Sequence, residues 1–373
     1  MKLVNLYIFT DNFFLKKDFK RFEVNKLNKF FNFKIISIKK RIINLDKNIK
    51  VIQLNSFDEL IKNTRETGEN YVIDLMGVDR LSWKIRNYLK GRRFKFIKIL
   101  LGMTPFPKKK NFIKRIFYNL TLKKKSGGGL LRKIYNNIQL NINKKFKYDL
   151  SLVAGRIAFQ NQLEKKTIKI IDFKSFDTLN YEKAKILKKK NLPIVFIDND
   201  ITGHKDYKYH GTNPPVEKKK YYNSLEVFFN YLEKKYKTKV VIALNPKSNI
   251  KLTKKNFKNR KVFQNKTSEL IKNCKFTIVH STTAISFCVL SKKPILFITT
   301  NEIKMSWLQQ EIEFSASQFN KKILNIDLID KNINIDNYLN INKNYYKSYI
   351  NNYLYQKKIS KKLSFSKILK KTL

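Results

Sequence analysis

Apolar positions along this chain fall into short unbroken runs, and few runs show the apolar/polar alternation of a half-exposed strand. Residues 3–9, 34–38, 50–54 and 71–75 are rich in Ile, Val, Leu, Tyr and Phe. They read as strands covered on both faces, the habit of parallel sheets. "FDELIKNTRE" (57–66) and "RLSWKIRNYLKG" (80–91) have helical spacing instead, and Gly91 is the expected C-terminal cap of the second. "FKFIKILLGMTPFP" then predicts a buried strand leaving into a Gly and Pro turn, followed by strands at 148–155 and 167–177 and a lysine-rich helix at 181–190. The pattern restarts with a strand at 191–200, an amphipathic helix at 218–236 and a strand into a turn at 239–249. "KFTIVHSTTAISFCVLSKKPILFIT" (275–299) closes it as strand, turn, helix and strand. Such alternation predicts an α/β chain of two Rossmann-like doubly wound domains facing a cleft, at 1–189 and 190–342, with a C-terminal helical segment at 343–373. A length of 373 residues also exceeds what one core usually serves.

In such folds, ligands collect where the carboxyl ends of strands meet helix N-termini. The polar residues at those ends are therefore the candidates. His280, Ser281, Thr282 and Thr283 occupy the turn of the last unit. Its hydroxyls either cap the following helix, the common role of Ser and Thr, or bond a phosphate. Asn245, Pro246, Lys247 and Ser248 end the 239–249 strand, and the two strands are expected to be neighbours sharing one crevice. Asp198 and Asp200, with His204 beyond them, end the 191–200 strand, and Asp74 ends the 71–75 strand. Each Asp either terminates its strand in a turn or faces the cleft as a base. Asp198, Asn199 and Asp200 with one His offer too few ligands at a recognised spacing for a metal.

Composition adds constraints. The chain is 42% hydrophobic, enough for packed cores, and its two cysteines, Cys274 and Cys288, support neither a disulfide framework nor a zinc site. No apolar run approaches a membrane span and no signal peptide is evident, so a cytoplasmic protein is expected. The formal charge of +52 is spread through nearly every segment alongside Asn and Ile. With no nucleic-acid module in the sequence, the partner expected for this charge is anionic lipid at the inner face of the cytoplasmic membrane. Residues 108–147 interleave Lys with Phe, Ile, Leu and Tyr around a glycine triplet at 127–129. The triplet reads either as an anion-binding nest or as a flexible connection, and its basic and aromatic flanks either as an interfacial stretch or as two amphipathic core helices.

"VVIALNPKS", "TSELIKNCKFTIVHSTTAISFCVLSKKPI", "VFIDND" and "YYKSYINNYL" together resemble bacterial surface-polysaccharide glycosyltransferases of the GT-B fold, in the polysialyltransferase-like and capsule-assembly branch. The resemblance covers roughly residues 190 to 355. It implies transfer of a sugar from a nucleotide-activated donor, CMP-linked in that family, to a lipopolysaccharide or capsule acceptor held by the first domain, with no cofactor and no metal. Family motifs place a His-Pro pair and a Ser/Thr pair at the donor phosphate. Carried over, they put Pro246 beside the donor and Ser281, Thr282 and Thr283 at its phosphate. Asn245 stands where the family has His and cannot be protonated, so either His280 or Lys247 is expected to stabilise the leaving phosphate or the donor differs from the family's. An inverting transfer also needs a base, for which Asp74, Asp198 and Asp200 are the candidates. Two alternatives remain beside this reading: a transferase of glycerol phosphate or ribitol phosphate from a CDP-linked alcohol, and a non-catalytic basic protein binding nucleic acid or membrane.

Overall fold

A computed structural model describes residues 4–11, 14, 16–38, 48–64, 67–77, 79–105, 146–165, 167–187, 191–203, 207, 213–246, 248–329, 333–356 and 363–373. Lys247, His204 and nearly all of the basic segment 108–147 lie outside these residues. The chain divides into two compact units. One gathers Met1–Leu101, Lys109–Phe176 and Lys357–Leu373, and the other Gly102–Lys108 and Asp177–Gln356.

This division differs from the expected one at both ends. A helix, Phe176–Lys183, begins inside the stretch expected as a strand, because the strand itself ends at Asp172. The C-terminal segment does not stand apart either. Tyr346 and Tyr349 bury against Phe319 of the second unit, with ring centroids at 5.5 and 5.3 Å. The helix Phe365–Thr372 instead returns to the first unit, where Phe365 meets Phe22 at 5.5 Å. Its Ser366 donates from both backbone N–H and hydroxyl to Glu23 Oε2, at 3.1 and 2.8 Å.

Among the described residues, the first unit carries seven parallel strands: β1 (Val4–Thr10), β2 (Asn32–Ser37), β3 (Lys50–Gln53), β4 (Glu69–Leu75), β5 (Lys95–Leu100), β6 (Leu150–Val153) and β7 (Lys169–Asp172). Their order is β3-β2-β1-β4-β5-β6-β7. Winding reverses between β1 and β4, and there the Gly77 N–H donates to Asp11 Oδ2 at 2.9 Å. A Cβ at Gly77 would stand 2.4 Å from that same oxygen, so any larger residue would have to displace the Asp11 carboxylate. One face of the sheet buries Tyr7, Phe9, Val72 and Phe96 in a continuous core. The helix Arg80–Gly91 starts where Asp79 accepts the Ser82 N–H at 3.1 Å. It runs through Gly91, and the left-handed residue after it is Arg93 (φ 63°), so Gly91 does not cap it as the sequence suggested.

The second unit repeats the scheme with β8 (Ile194–Ile197), β9 (Val240–Leu244), β10 (Val262–Gln264), β11 (Thr277–Val279), β12 (Ile295–Thr299) and β13 (Ile323–Asn325), all parallel. The strand order is β10-β9-β8-β11-β12-β13. Here the reversal falls between β8 and β11. The expectation that the 239–249 and 276–279 strands are neighbours is corrected, since β8 lies between them. At about 4.8 Å per strand, their ends stand about 10 Å apart. One phosphate cannot touch both.

Candidate functional site

Asp74 at the end of β4 is fully engaged. The Arg86 guanidinium grips it with Nε to Oδ2 at 2.7 Å and Nη2 to Oδ1 at 3.0 Å. The Tyr148 hydroxyl and the Met76 N–H also donate to it, at 2.8 and 3.0 Å. Arg86 also donates to the carbonyls of Met76 and Gly77. Four donors on one buried carboxylate leave it no lone pair for an acceptor hydroxyl, so the expectation of Asp74 as base is corrected to a structural ion pair.

His280 is also a core residue. It is fully buried, with its edge toward Phe196 and its Nδ1 2.9 Å from the Ile298 carbonyl. A carbonyl only accepts, so Nδ1 carries the proton. Nε2 then accepts from the Tyr221 hydroxyl at 3.0 Å. Burial pushes the imidazole down to about 4, against the opposing bond to Ile298. A neutral imidazole with both nitrogens occupied cannot donate a proton to a leaving phosphate, and that expectation is corrected.

Asp198 behaves differently. It ends β8 at the winding reversal and is 2% exposed. Oδ1 accepts the Asp200 N–H at 3.1 Å, while Oδ2 has no partner among the described residues. Burial lifts the carboxyl to about 7; the Asp200 N–H opposes the shift and the Asp200 charge adds to it. An unfilled acceptor lifted toward neutrality has the proton affinity of a general base, while its Oδ2 is buried and Asp198 does not line the cavity at the Ser281 turn. Asp200 adopts a left-handed conformation (φ 57°), and its Oδ1 would stand 2.9 Å from a Cβ at Gly203. It shapes the turn that presents Asp198.

At the end of β9, Gln264 donates to the carbonyls of Asn245, Pro246 and Ser248, at 3.3, 3.3 and 2.9 Å. The turn is thus pinned through its backbone. Pro246 is exposed, and the buried Ser248 hydroxyl has no partner among the described residues.

Two hydroxyls of the turn after β11 are engaged within the protein. Thr282 Oγ1 accepts the Ala284 N–H at 3.2 Å in a local turn just ahead of the helix Ile285–Leu290, whose N-cap residue Ala284 has no side-chain cap bond. Ser281 Oγ pairs with Ser315 Oγ at 3.0 Å, and Thr283 is exposed. Asn199 Nδ2 donates to the Ser281 carbonyl, tying the turn to the end of β8. Ser281, Thr282 and Thr283 line a cavity of about 140 Å³ together with Ile285, Glu311, Phe314, Ser315, Phe319, Tyr349, and Thr104 and Pro105 of the same unit. That volume holds one part of a ligand, well short of the 300 Å³ or so at which whole-ligand pockets begin.

Glu311 and Ser315 were not anticipated. They lie four apart on the helix Leu308–Ser317, and so share a face. Helical spacing in "LQQEIEFSAS" carried that signal, but nothing in the sequence placed this face against the Ser281 turn. Burial raises the Glu311 carboxyl above its usual range.

Neither a scan of known protein families nor a search of curated proteins returns a match. Among solved structures, a point variant of the wall teichoic acid polymerase TagF matches with a TM-score of 0.52 and 12% identity, over 94% of this chain and 84% of that one. The calicheamicin glycosyltransferase CalG4 matches at 0.48 and 8%, over 93% and 94%. A UDP-N-acetylglucosamine 2-epimerase from Rickettsia bellii matches at 0.40 and 13%, over 80% of each chain. With its two parallel-sheet α/β units, the chain has the two-Rossmann-like, GT-B-like fold expected from its sequence, and the TagF likeness supports that fold alone.

Proposed function

We propose that this chain is a glycosyltransferase that takes a sugar from a nucleotide-activated donor held by its second unit. The observation that carries the reading is the small cavity where the Ser281–Thr283 turn meets Glu311. Hydroxyls and backbone amides of the turn suit a phosphate. A carboxylate repels phosphate but accepts two hydrogen bonds from a vicinal diol, so Glu311 suits the ribose beside it. Asp198 is the base that receives the acceptor proton. A CMP-linked donor, a lipopolysaccharide or capsule acceptor bound by the first unit, and peripheral attachment to the inner membrane face complete the proposal. A panel of CMP-, UDP- and GDP-linked sugars tests it: one should be turned over, and Glu311→Gln should raise its KM. Turnover of none would refute it.

A second reading, transfer of glycerol phosphate or ribitol phosphate from a CDP-linked alcohol, is favoured by one observation, the fold shared with a wall teichoic acid polymerase. Including CDP-linked alcohols in the panel separates the two.

A further inference from the structure

The second unit holds a larger cavity that the proposed donor site does not use. It measures about 750 Å³, within the range of whole-ligand pockets. It opens at the amino end of β13, whereas the Ser281 turn lies at a carboxyl end, and Phe319 lines both cavities. Asn320, Asn337, Asn340 and Asn344 are among the residues that line it. All four residues are exposed, and none of their side-chain amides has a hydrogen-bond partner among the described residues.

The wall behind them is fixed. Lys321 Nζ donates to the Tyr338 carbonyl at 2.8 Å and also to the Asn340 carbonyl. Asn342 caps the helix Lys343–Tyr349 by accepting the Asn344 N–H at 3.0 Å. Tyr338 and the exposed Ile341 add apolar surface. Lys322 and Lys343 line the cavity beside Lys321, and no Asp or Glu lines it among the described residues.

We infer that this cavity is a saccharide subsite, separate from the donor site, for a stretch of oligosaccharide bearing carboxylate or phosphate groups. Each amide offers a donor and an acceptor side by side, matching the paired hydroxyls of a sugar ring. Ile341 and Tyr338 meet the C–H faces of the ring, and Lys322 and Lys343 select an anionic chain. The inference rests on the glycosyltransferase reading only in naming the growing or acceptor glycan as occupant.

Calorimetry on the full chain tests it, with a hyaluronan hexasaccharide as acidic probe and maltohexaose as neutral probe. The acidic probe should bind. Asn337→Ala with Asn340→Ala should weaken it by about tenfold, the loss of two modest hydrogen bonds. Lys322→Gln with Lys343→Gln should remove the preference over the neutral probe. All four positions are exposed, and Asn344→Trp, which fills the cavity from its rim, gives a second check should the alanine pair lower the melting temperature. Nucleotide affinity should stay unchanged in every variant, so failure here is distinguishable from failure of the donor site. Absence of binding by either probe, or binding indifferent to the Asn and Trp variants, would overturn the inference.

Discussion

Replacing Asp198 with Asn should stabilise the protein above neutrality while sharply lowering turnover. The side chain is buried with one oxygen unfilled among the described residues, and its carboxyl is lifted from 3.8 to about 7. A shift of that size is worth about 4 kcal/mol in favour of the protonated form. Well below pH 4 the group is protonated in both folded and unfolded chains, and stability is complete. As pH rises toward 7 the unfolded chain releases its proton while the folded one holds it, so stability falls until about pH 7 and stays reduced above. An amide remains neutral throughout, and its oxygen can still accept the Asp200 N–H. Wild type and Asp198→Asn should therefore agree within about 1 kcal/mol at pH 4, and the variant should lead by about 2 to 4 kcal/mol at pH 8.5. Urea unfolding at both values, read through amide exchange in β8 and β11, measures this. Turnover should drop by about 10²- to 10⁴-fold, the usual cost of losing a general base. A stability difference independent of pH would refute the burial argument, and unchanged turnover would refute the catalytic one.

Asp74→Asn removes one half of a buried ion pair and should cost about 3 to 5 kcal/mol of unfolding free energy without altering nucleotide affinity, as denaturant titration and calorimetry would show. His280→Asn should lower the melting temperature by stranding the Tyr221 hydroxyl, and the pH–rate profile should keep its shape, because an imidazole held near 4 does not titrate between pH 5 and 8. If the basic excess serves membrane attachment, the protein should sediment with anionic vesicles at low salt and release as the Debye length shrinks below about 10 Å; equal binding to neutral vesicles would contradict that.

The strands were legible because runs such as "PILFI" and "VVIAL" lack alternation, which marks burial on both faces. Which strand lies beside which was not. Periodicity reports the faces of an element and is silent on its neighbours, so β9 and β11 were paired across the gap that β8 fills. The same limit hid the fate of polar residues. Asp74 looks like a free carboxylate until Arg86 and Tyr148 converge on it from elsewhere in the sequence. His280 reads as chemistry beside three hydroxyls, yet its side chain turns inward to Ile298 and Tyr221. Glu311 escaped notice because only tertiary packing brings the helix Leu308–Ser317 to the β11 turn.

The central claim is that a nucleotide binds where the Ser281–Thr283 turn meets Glu311. Soaking crystals with CMP, UDP and GDP in turn, alongside calorimetry of wild type, Ser281→Ala and Glu311→Gln, tests it most directly. The account predicts one nucleotide with its phosphate at the turn and its ribose hydroxyls on Glu311, and an affinity lowered by about 1 to 3 kcal/mol in each variant. A nucleotide seated elsewhere, or affinities that ignore both substitutions, would contradict it.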